Sequence, residues 1–469
     1  MGPLLLGKKM KRHQIQKWAA LAGVLVFAGC SETYPPHEIK KAIQEICATE
    51  YGIEKIDVKI TGRTIGVFLP IKKLFVVDLK EVLTRSGGKI EDMENLFQPA
   101  PEALDQVEDV LFSISRVLLS TERKLDFYAL QATDVENTGL QLVLYGFVDD
   151  IKRVRLWDIS REEYRKRILH ELRLNRAVVW HRPIKSFFGT LEKSPSLKVI
   201  QEYFSVPLEP RMFESLFFFN PDTLQAPVRW HLGEFRSISV SSTEILVYAP
   251  VVLDYDPAAV PHGKIGVPAG TPLEYIFVVS FASERAQIMR VIPLFAKDES
   301  GHLRKIRRLS GINVAQDVGS WESEFALTEV HLGNYLAEQL TRRSQNLLYP
   351  DERIQNTFES LHVAFRYEKD AKEPAGNYFS LDLDVKPRAH TELRHGPSAL
   401  DEDVVYLLNR VSREFVDLLR SYHFNDYQFL QLNIVSDPVA RILAREDLEL
   451  FRQKKIDLRG LLMTGLGGF

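Results

Sequence analysis

Cysteine is nearly absent from this chain of 469 residues, which holds only Cys30 and Cys47. That scarcity excludes a disulfide-built scaffold and any zinc ribbon made from paired cysteines. An excess of one charge is lacking too. The 60 basic and 63 acidic residues leave a formal −3, so there is no electrostatic footprint for nucleic acid. Glycine (26) and proline (23) are too few, and the hydrophobic share of 45% too large, for collagen, a low-complexity polymer or general disorder. No GxSxG, no GxGxxG after a strand and no HExxH occurs. The length suits about three domains, each large enough to bury a core.

What is present begins with MGPLLLGKKMKRHQIQKWAALAGVLVFAGC. Lys8, Lys9, Lys11, Arg12 and Lys17 form a positive segment without an acid, and Trp18 to Ala28 is an unbroken apolar and small-residue run of eleven. A membrane-spanning helix needs about 20 such residues, so the run reads as the hydrophobic region of a signal peptide. From Met10 onward the signal is already complete, which makes Met10 an alternative start to Met1. MGPLLL lacks the Ser or Thr at position six that myristoylation requires.

The segment ends in Phe27-Ala28-Gly29-Cys30, which resembles the lipobox of bacterial lipoproteins, with Phe27 where leucine is usual. The resemblance covers these thirty residues alone. It implies that the Cys30 thiol attacks a lipid glyceryl donor, that a signal peptidase cuts between Gly29 and Cys30, and that palmitate-type acyl chains then hold the protein to a membrane. Ser31, rather than Asp, follows the cysteine, which in that class favours the outer membrane where the host has two. Loss of residues 1–29, with five basic groups and no acid, moves the formal charge from −3 to −8. Each buried CH₂ of an acyl chain contributes about 0.8 kcal/mol, so several chains anchor an acidic body without a basic surface. The tether Ser31–Pro36 spans roughly 20 Å at most, which keeps the first domain close to the lipid.

Beyond the tether, Ile39, Ile43 and Ile46 recur at helical spacing. Ile56, Val58 and Ile60 alternate as a strand, Thr61-Gly62-Arg63 turns, and Ile65, Val67 and Leu69 return as its hairpin partner. Val107, Val110, Leu111, Ile114, Val117 and Leu118 give a second helix, and strands follow around Leu125–Ala132 and Leu140–Phe147. Ser160 with Glu163 reads as a capping box opening a helix through Arg173. A similar order returns later. Ile354, Phe358 and Leu361 repeat the first helical spacing, and Phe379, Leu381, Leu383 and Val385 alternate. Ala399-Leu400-Asp401 matches Ala103-Leu104-Asp105 and opens a helix through Leu418. Leu430-Gln431-Leu432 matches Leu140-Gln141-Leu142, and Arg445–Lys455 parallels Arg161–His170. Between the copies, Leu216–Phe219, Ser237–Val240, Glu244–Leu253, Tyr275–Phe281 and Gln287–Leu294 read as strands.

The expected fold class is therefore α+β: two related helix and antiparallel-sheet modules flanking a β-rich middle domain. The partition is a signal peptide over 1–29, a lipidated tether over 30–36, a first α/β module over 37–205 and the β-rich domain over 206–327. A connecting helix over 328–349, a second α/β module over 350–457 and an apolar glycine-rich tail over 458–469 complete it.

Residues with chemical potential are scattered. Cys47 follows Ile46 on an apolar stripe and reads as a small buried hydrophobe. His390 and His395, with Glu392 between them, have a spacing of five that fits no metal-binding helix face. His262–Pro268 lacks the order of a phosphate loop. The acidic pairs Asp149-Asp150 and Asp382 with Asp384 read as solvated surface or helix caps. Arg161, Arg165, Lys166, Arg167, Arg173 and Arg176, and the cluster Lys305, Arg307 and Arg308, read as charged faces with i, i+4 partners. No catalytic, cofactor-binding or metal-ligating residue is assigned. The assigned positions are Cys30 for lipidation and Gly29 with Cys30 for cleavage. The expected function is a lipid-anchored cell-envelope protein that binds or scaffolds without catalysis, with the membrane and an envelope protein as partners and no cofactor. A solute- or glycan-binding lipoprotein and an envelope hydrolase working through carboxylates are the alternatives.

Overall fold

The computed structural model describes residues 34–76, 98–193, 196–224, 226–261, 263–282, 286–300, 302–309, 312–369, 376–388, 401–435 and 440–464. Gly29 and Cys30, with the rest of residues 1–33, lie outside them, as do His262, His390, Glu392, His395 and the end of the tail. The chain divides into two units, one of Met1–Asp158 with His170–Thr328, the other of Ile159–Leu169 with Glu329–Phe469.

In the first unit, helix α1 (Ile39–Tyr51) buries Ile39, Ala42, Ile43, Ile46 and Cys47 at steps of one, three and four. Strands β1 (Asp57–Thr61) and β2 (Thr64–Ile71) form the expected hairpin, with Val58 opposite Val67. Helix α2 (Pro101–Leu119) opens on a proline, where a missing N–H costs nothing, and carries the chain across to β3 (Phe127–Asp134). Strand β4 (Leu140–Phe147) then pairs antiparallel with β3, and α3 (Val148–Arg155) follows at once. The sheet is not antiparallel throughout: β2 and β3 run parallel, Val67 facing Leu130, because a helix connects them and a crossover returns the chain in the same direction. Gly146 sits opposite Tyr128, whose buried ring lies where a Cβ would stand.

Half of the expected capping box forms, Ser160 Oγ accepting the Glu163 N–H at 3.0 Å while the Glu163 carboxylate turns to Arg167 and Arg343, and α4 (Arg161–Arg167) stops there instead of continuing to Arg173. Strand β5 (Leu169–Leu174) takes over and completes the sheet in the order β1-β2-β3-β4-β5. The edge of β4 offers it backbone partners that a longer helix would leave unused.

Helix α5 (Arg176–Leu191), read above as the end of the first module, buries Ile184, Phe187, Phe188 and Leu191 in the core of the middle strands. Residues Leu216–Phe219 are not a strand: Phe213, Leu216 and Phe217 lie on one face of α6 (Pro210–Phe217), and Phe218 ends it at φ 68. Apolar residues at i, i+3 and i+4 bury together only as a helix. The sheet uses β6 (Val228–Leu232), β7 (Arg236–Ser239), β8 (Glu244–Tyr255), β9 (Thr271–Ser280), β10 (Gln287–Pro293) and β11 (Glu322–Ser323). Its order is β10-β9-β8-β7-β11, with β6 also on β8. Its aromatic core includes Phe187, Phe217, Trp230 and Tyr275, the last donating its hydroxyl to Leu216 O at 2.8 Å.

The second unit starts earlier than the second sequence copy. Helix α7 (Leu332–Leu348), read as a connector, lies against β12 (Phe358–Lys369): Thr341 Oγ1 accepts the Phe365 N–H at 2.8 Å and Gln345 donates to Val363 O at 3.2 Å. Helix α8 (Glu352–Thr357) is only six residues, so Phe358 and Leu361 belong to β12. Strand β13 (Asn377–Pro387), α9 (Glu402–Ser421), β14 (Phe429–Ile434), β15 (Arg441–Ala444) and α10 (Arg445–Arg452) follow. Pairing is antiparallel, parallel and antiparallel along β12-β13-β14-β15, the same sequence of pairings as β1-β2-β3-β4.

The topological counterparts are therefore α1 and α7, α2 and α9, α3 and α10. Leu430-Gln431-Leu432 lies on β14, which takes the place of β3 in the sheet order, whereas Leu140-Gln141-Leu142 lies on β4. Within the tail, α11 (Leu458–Thr464) buries Leu458, Leu461 and Leu462.

Candidate functional site

Helix α5 begins at Asn175, whose side chain accepts the Val178 N–H at 3.3 Å and donates to Glu324 O at 2.8 Å. One cap thus starts the helix and grips a distant segment. The helix's buried stripe runs Val178, His181, Ile184, Phe188, apolar except for one imidazole. His181 has no exposed surface. Its Nδ1 lies 2.8 Å from Glu324 Oε1 and its Nε2 lies 3.0 Å from Ser237 Oγ. Lys185, one turn on, reaches Glu324 Oε2 at 2.7 Å.

The partners assign the tautomer. A carboxylate only accepts, so Nδ1 carries the proton, and neutral Nε2 accepts the Ser237 hydroxyl. Burial pulls the His181 pKa below its usual value, against the opposing pull of Glu324. Burial alone would raise the Glu324 carboxyl, but the His181 hydrogen bond and the Lys185 charge hold it below the ordinary range. The network is thus neutral imidazole between carboxylate and hydroxyl.

Residues 324–327 are strapped across the first sheet. Lys59 donates to Phe325 O at 3.0 Å and Gln131 to Ala326 O at 2.8 Å. Gly66 on β2 leaves room for Leu327, whose Cδ1 lies 2.7 Å from where a Cβ would be. Phe325 closes an apolar cluster with Phe68 and Val178.

Beside this strap a cleft of about 860 Å³ opens within the first unit. Its apolar floor includes Phe68, Pro70 and Val178, and its charged lining is Lys55, Asp57, Glu136, Arg182, Lys185 and Glu324. Arg182 is held at the β3–β4 turn, with Nε donating to Val135 O at 3.2 Å and Nη1 to Asn137 O at 2.8 Å. Its Nη2 is buried and has no hydrogen-bond partner among the described residues.

The order Ser237–His181–Glu324 reproduces the hydrogen-bond logic of a nucleophile, its base and the group that orients the base. Ser237, however, is completely buried, so no substrate carbonyl reaches its hydroxyl in this conformation. Here the network ties α5, β7 and the strap together. The cleft, by contrast, is open to solutes.

Of the residues singled out from the sequence, Cys47 is buried, and burial first, with the charge of Asp109, pushes its thiol up. That is the opposite of nucleophile activation. Asp149 pairs with Lys152 at 2.9 Å, and buried Asp150 with Arg153 at 3.5 Å. Asp382 pairs with Arg366 at 2.7 Å and accepts from Asn433 at 2.8 Å.

Arg167 binds Glu163 at 2.9 Å and Lys166 binds Glu162 at 2.8 Å, the expected i, i+4 partners, and Lys305 pairs with Glu274. Around His262–Pro268 the backbone turns at Gly263 (φ 80), and Tyr255 donates to Val267 O at 2.7 Å, where a phosphate loop would present N–H groups. Among the described residues no group of three His, Cys, Asp or Glu is placed to hold a metal, and no helix is long and apolar enough to cross a membrane.

His181, Arg182, Ser237 and Glu324 escaped the sequence reading. The one available signal was a histidine on a helix stripe otherwise made of Val178, Ile184 and Phe188. No family model matches the chain, and neither the curated proteins nor the solved structures contain a match to it.

Proposed function

We propose that this protein is a lipid-anchored cell-envelope protein, tied to the membrane through acylated Cys30, that binds a small solute through the cleft of its first unit without transforming it. The cleft carries the binding part of this reading: polar groups of both signs converge over an apolar floor, the composition expected of a site that orients a ligand. The basic segment, the apolar run and Phe27-Ala28-Gly29-Cys30 support the anchor. Scaffolding of an envelope protein through the second unit is compatible with the same anchor.

Two measurements test it. Palmitate should label the wild type and not Cys30→Ala, and equal labelling would remove the anchor. Native mass spectrometry of protein drawn from the envelope should show a small-molecule adduct that is lost in Ser186→Trp, which plugs the cleft from an exposed position on α5. An adduct unaffected by that substitution places the ligand elsewhere.

The Ser237–His181–Glu324 geometry favours a second reading, an acyl hydrolase whose serine is uncovered by a movement. A fluorophosphonate that modifies Ser237 in the native protein would support it. Absence of labelling would leave the binding role.

A further inference from the structure

We infer that Leu156 and Trp157, at the end of α3, are a second contact with the bilayer, seated at the boundary of headgroups and acyl chains and holding the first unit down on the membrane that carries its N-terminus. The inference rests on the reading of Cys30 as a lipid anchor and adds a surface of the folded body to it. Trp157 is 87% exposed, more than any other large apolar side chain among the described residues, and Leu156 beside it is 69% exposed. The Asp158 N–H reaches Arg153 O at 2.9 Å and the Trp157 N–H reaches Val154 O at 3.4 Å, the hydrogen-bond pair of a Schellman helix ending. Trp157 fills the left-handed position of that ending, at φ 66, where glycine is favoured because a Cβ crowds the backbone. A tryptophan there strains the turn and leaves its indole in water, so neither the helix nor the core gains from it. An apolar ring with a single N–H suits a membrane interface, which is oily on one side and wet on the other.

The place of the tip in the fold names its occupant. Residues 1–33 lead into Tyr34, whose side chain hydrogen-bonds with Arg116 in the last turn of α2. Phe112, exposed one turn before Arg116, adds apolar surface to that end of α2. The chain leaving α2 enters the sheet at Phe127, which stands opposite Phe147 at the end of β4. Helix α3 starts there, its Val148 N–H donating to Asp126 O at 2.8 Å, and packs against α2. Tether and tip thus belong to the same end of the first sheet. With α3 about 12 Å long and the tether reaching roughly 20 Å, one lipid surface can meet both. Charge does not carry the contact. Residues 148–158 hold three acids, Asp149, Asp150 and Asp158, and three bases, Lys152, Arg153 and Arg155, with Lys152 on Asp149 and Arg153 on Asp150. The contact is therefore apolar and insensitive to salt.

The test uses the whole protein drawn from the envelope and returned to phosphatidylcholine vesicles whose acyl chains carry bromine either near the headgroup or at the chain end. Subtracting the emission of Trp157→Gly from that of wild type isolates Trp157. Glycine fits the left-handed position, so the variant keeps the fold, which an unchanged or raised thermal midpoint verifies. Trp157 emission should be lost to the shallow bromines more than to the deep ones, as expected of a group resting roughly 5–10 Å into the interface. The loss should persist at about 1 M salt, where exposed charges are screened. Loss that vanishes in salt overturns an apolar contact. Protein that stays with the vesicles while neither bromine position quenches Trp157 overturns the inference and leaves the anchor standing. In that case shielding of Trp157 from aqueous acrylamide would mean that residues 1–33 or a protein partner covers the tip instead. Protein that washes off the vesicles, with palmitate labelling equal in wild type and Cys30→Ala, overturns the anchor and the inference together.

Discussion

Replacing Glu324 by alanine should destabilise the first unit by about 1–4 kcal/mol at neutral pH. The substitution strands the His181 Nδ1–H in a site with no exposed surface, which costs about 1–3 kcal/mol. It also releases Lys185, whose side chain is 44% exposed, so that ion pair adds no more than about 1 kcal/mol. At about 2–4 °C per kcal/mol for a body of this size, the midpoint should drop by roughly 2–16 °C. Glu324→Gln retains an acceptor for His181 and should lose only about 1 kcal/mol.

Tryptophan fluorescence isolates the right transition. Trp157, Trp180, Trp230 and Trp321 all belong to the first unit, and the fifth, Trp18, stands in the N-terminal segment that resembles a signal peptide. The pH dependence carries a definite sign. Both His181 and Glu324 have folded pKa values below their ordinary 6.5 and 4.5, so the unfolded chain binds more protons. Stability is therefore full above about pH 6.5. It declines as acid protonates the histidine of the unfolded chain, by at most about 1.4 kcal/mol per pH unit for one proton, and again below about pH 4.5 as the carboxylate follows. Glu324→Ala should keep the first decline and lose the second contribution. An alanine variant within about 0.5 kcal/mol of wild type, or a wild-type midpoint flat between about pH 7.5 and 5, would refute the reasoning.

Two further substitutions probe packing. Gly146→Ala puts a methyl 2.1 Å from Cζ of the buried Tyr128, so it should cost about 1–3 kcal/mol in the same fluorescence assay; an unchanged midpoint would show that the ring yields freely. Ending the chain after Asp457 removes the buried side chains of Leu458, Leu461 and Leu462, worth roughly 1.5–3 kcal/mol each. The second unit should become protease-sensitive while the tryptophan transition stays put, and equal protease resistance would mean that α11 adds nothing.

The amphipathic helices and the hairpins were readable from the chain because their signals are local. Val107, Val110, Ile114 and Val117 repeat every three or four residues, and Val58 and Ile60 alternate with polar neighbours, whatever the rest of the molecule does. The α+β class and the repeated order of elements follow from those patterns. The resemblance of residues 1–30 to a lipoprotein signal is local as well, since it is carried by neighbouring residues alone.

Other features depend on partners distant in sequence. Parallel pairing of β2 with β3 and of β13 with β14 depends on which way a crossover helix returns. The apolar run ending at Phe217 becomes helix α6 because its face fits the aromatic core of the middle sheet. Spacing makes α7 a helix but does not say which module it belongs to, since that is set by the strand it covers. Residues 181, 237 and 324 are ordinary types at ordinary local positions, joined only by folding. Arg182 acquires its unmet donor only because a turn 45 residues earlier takes the other nitrogens. Periodicity is written in neighbouring residues, whereas burial, unmet hydrogen bonds and cavities are properties of surfaces that meet only once the chain has folded.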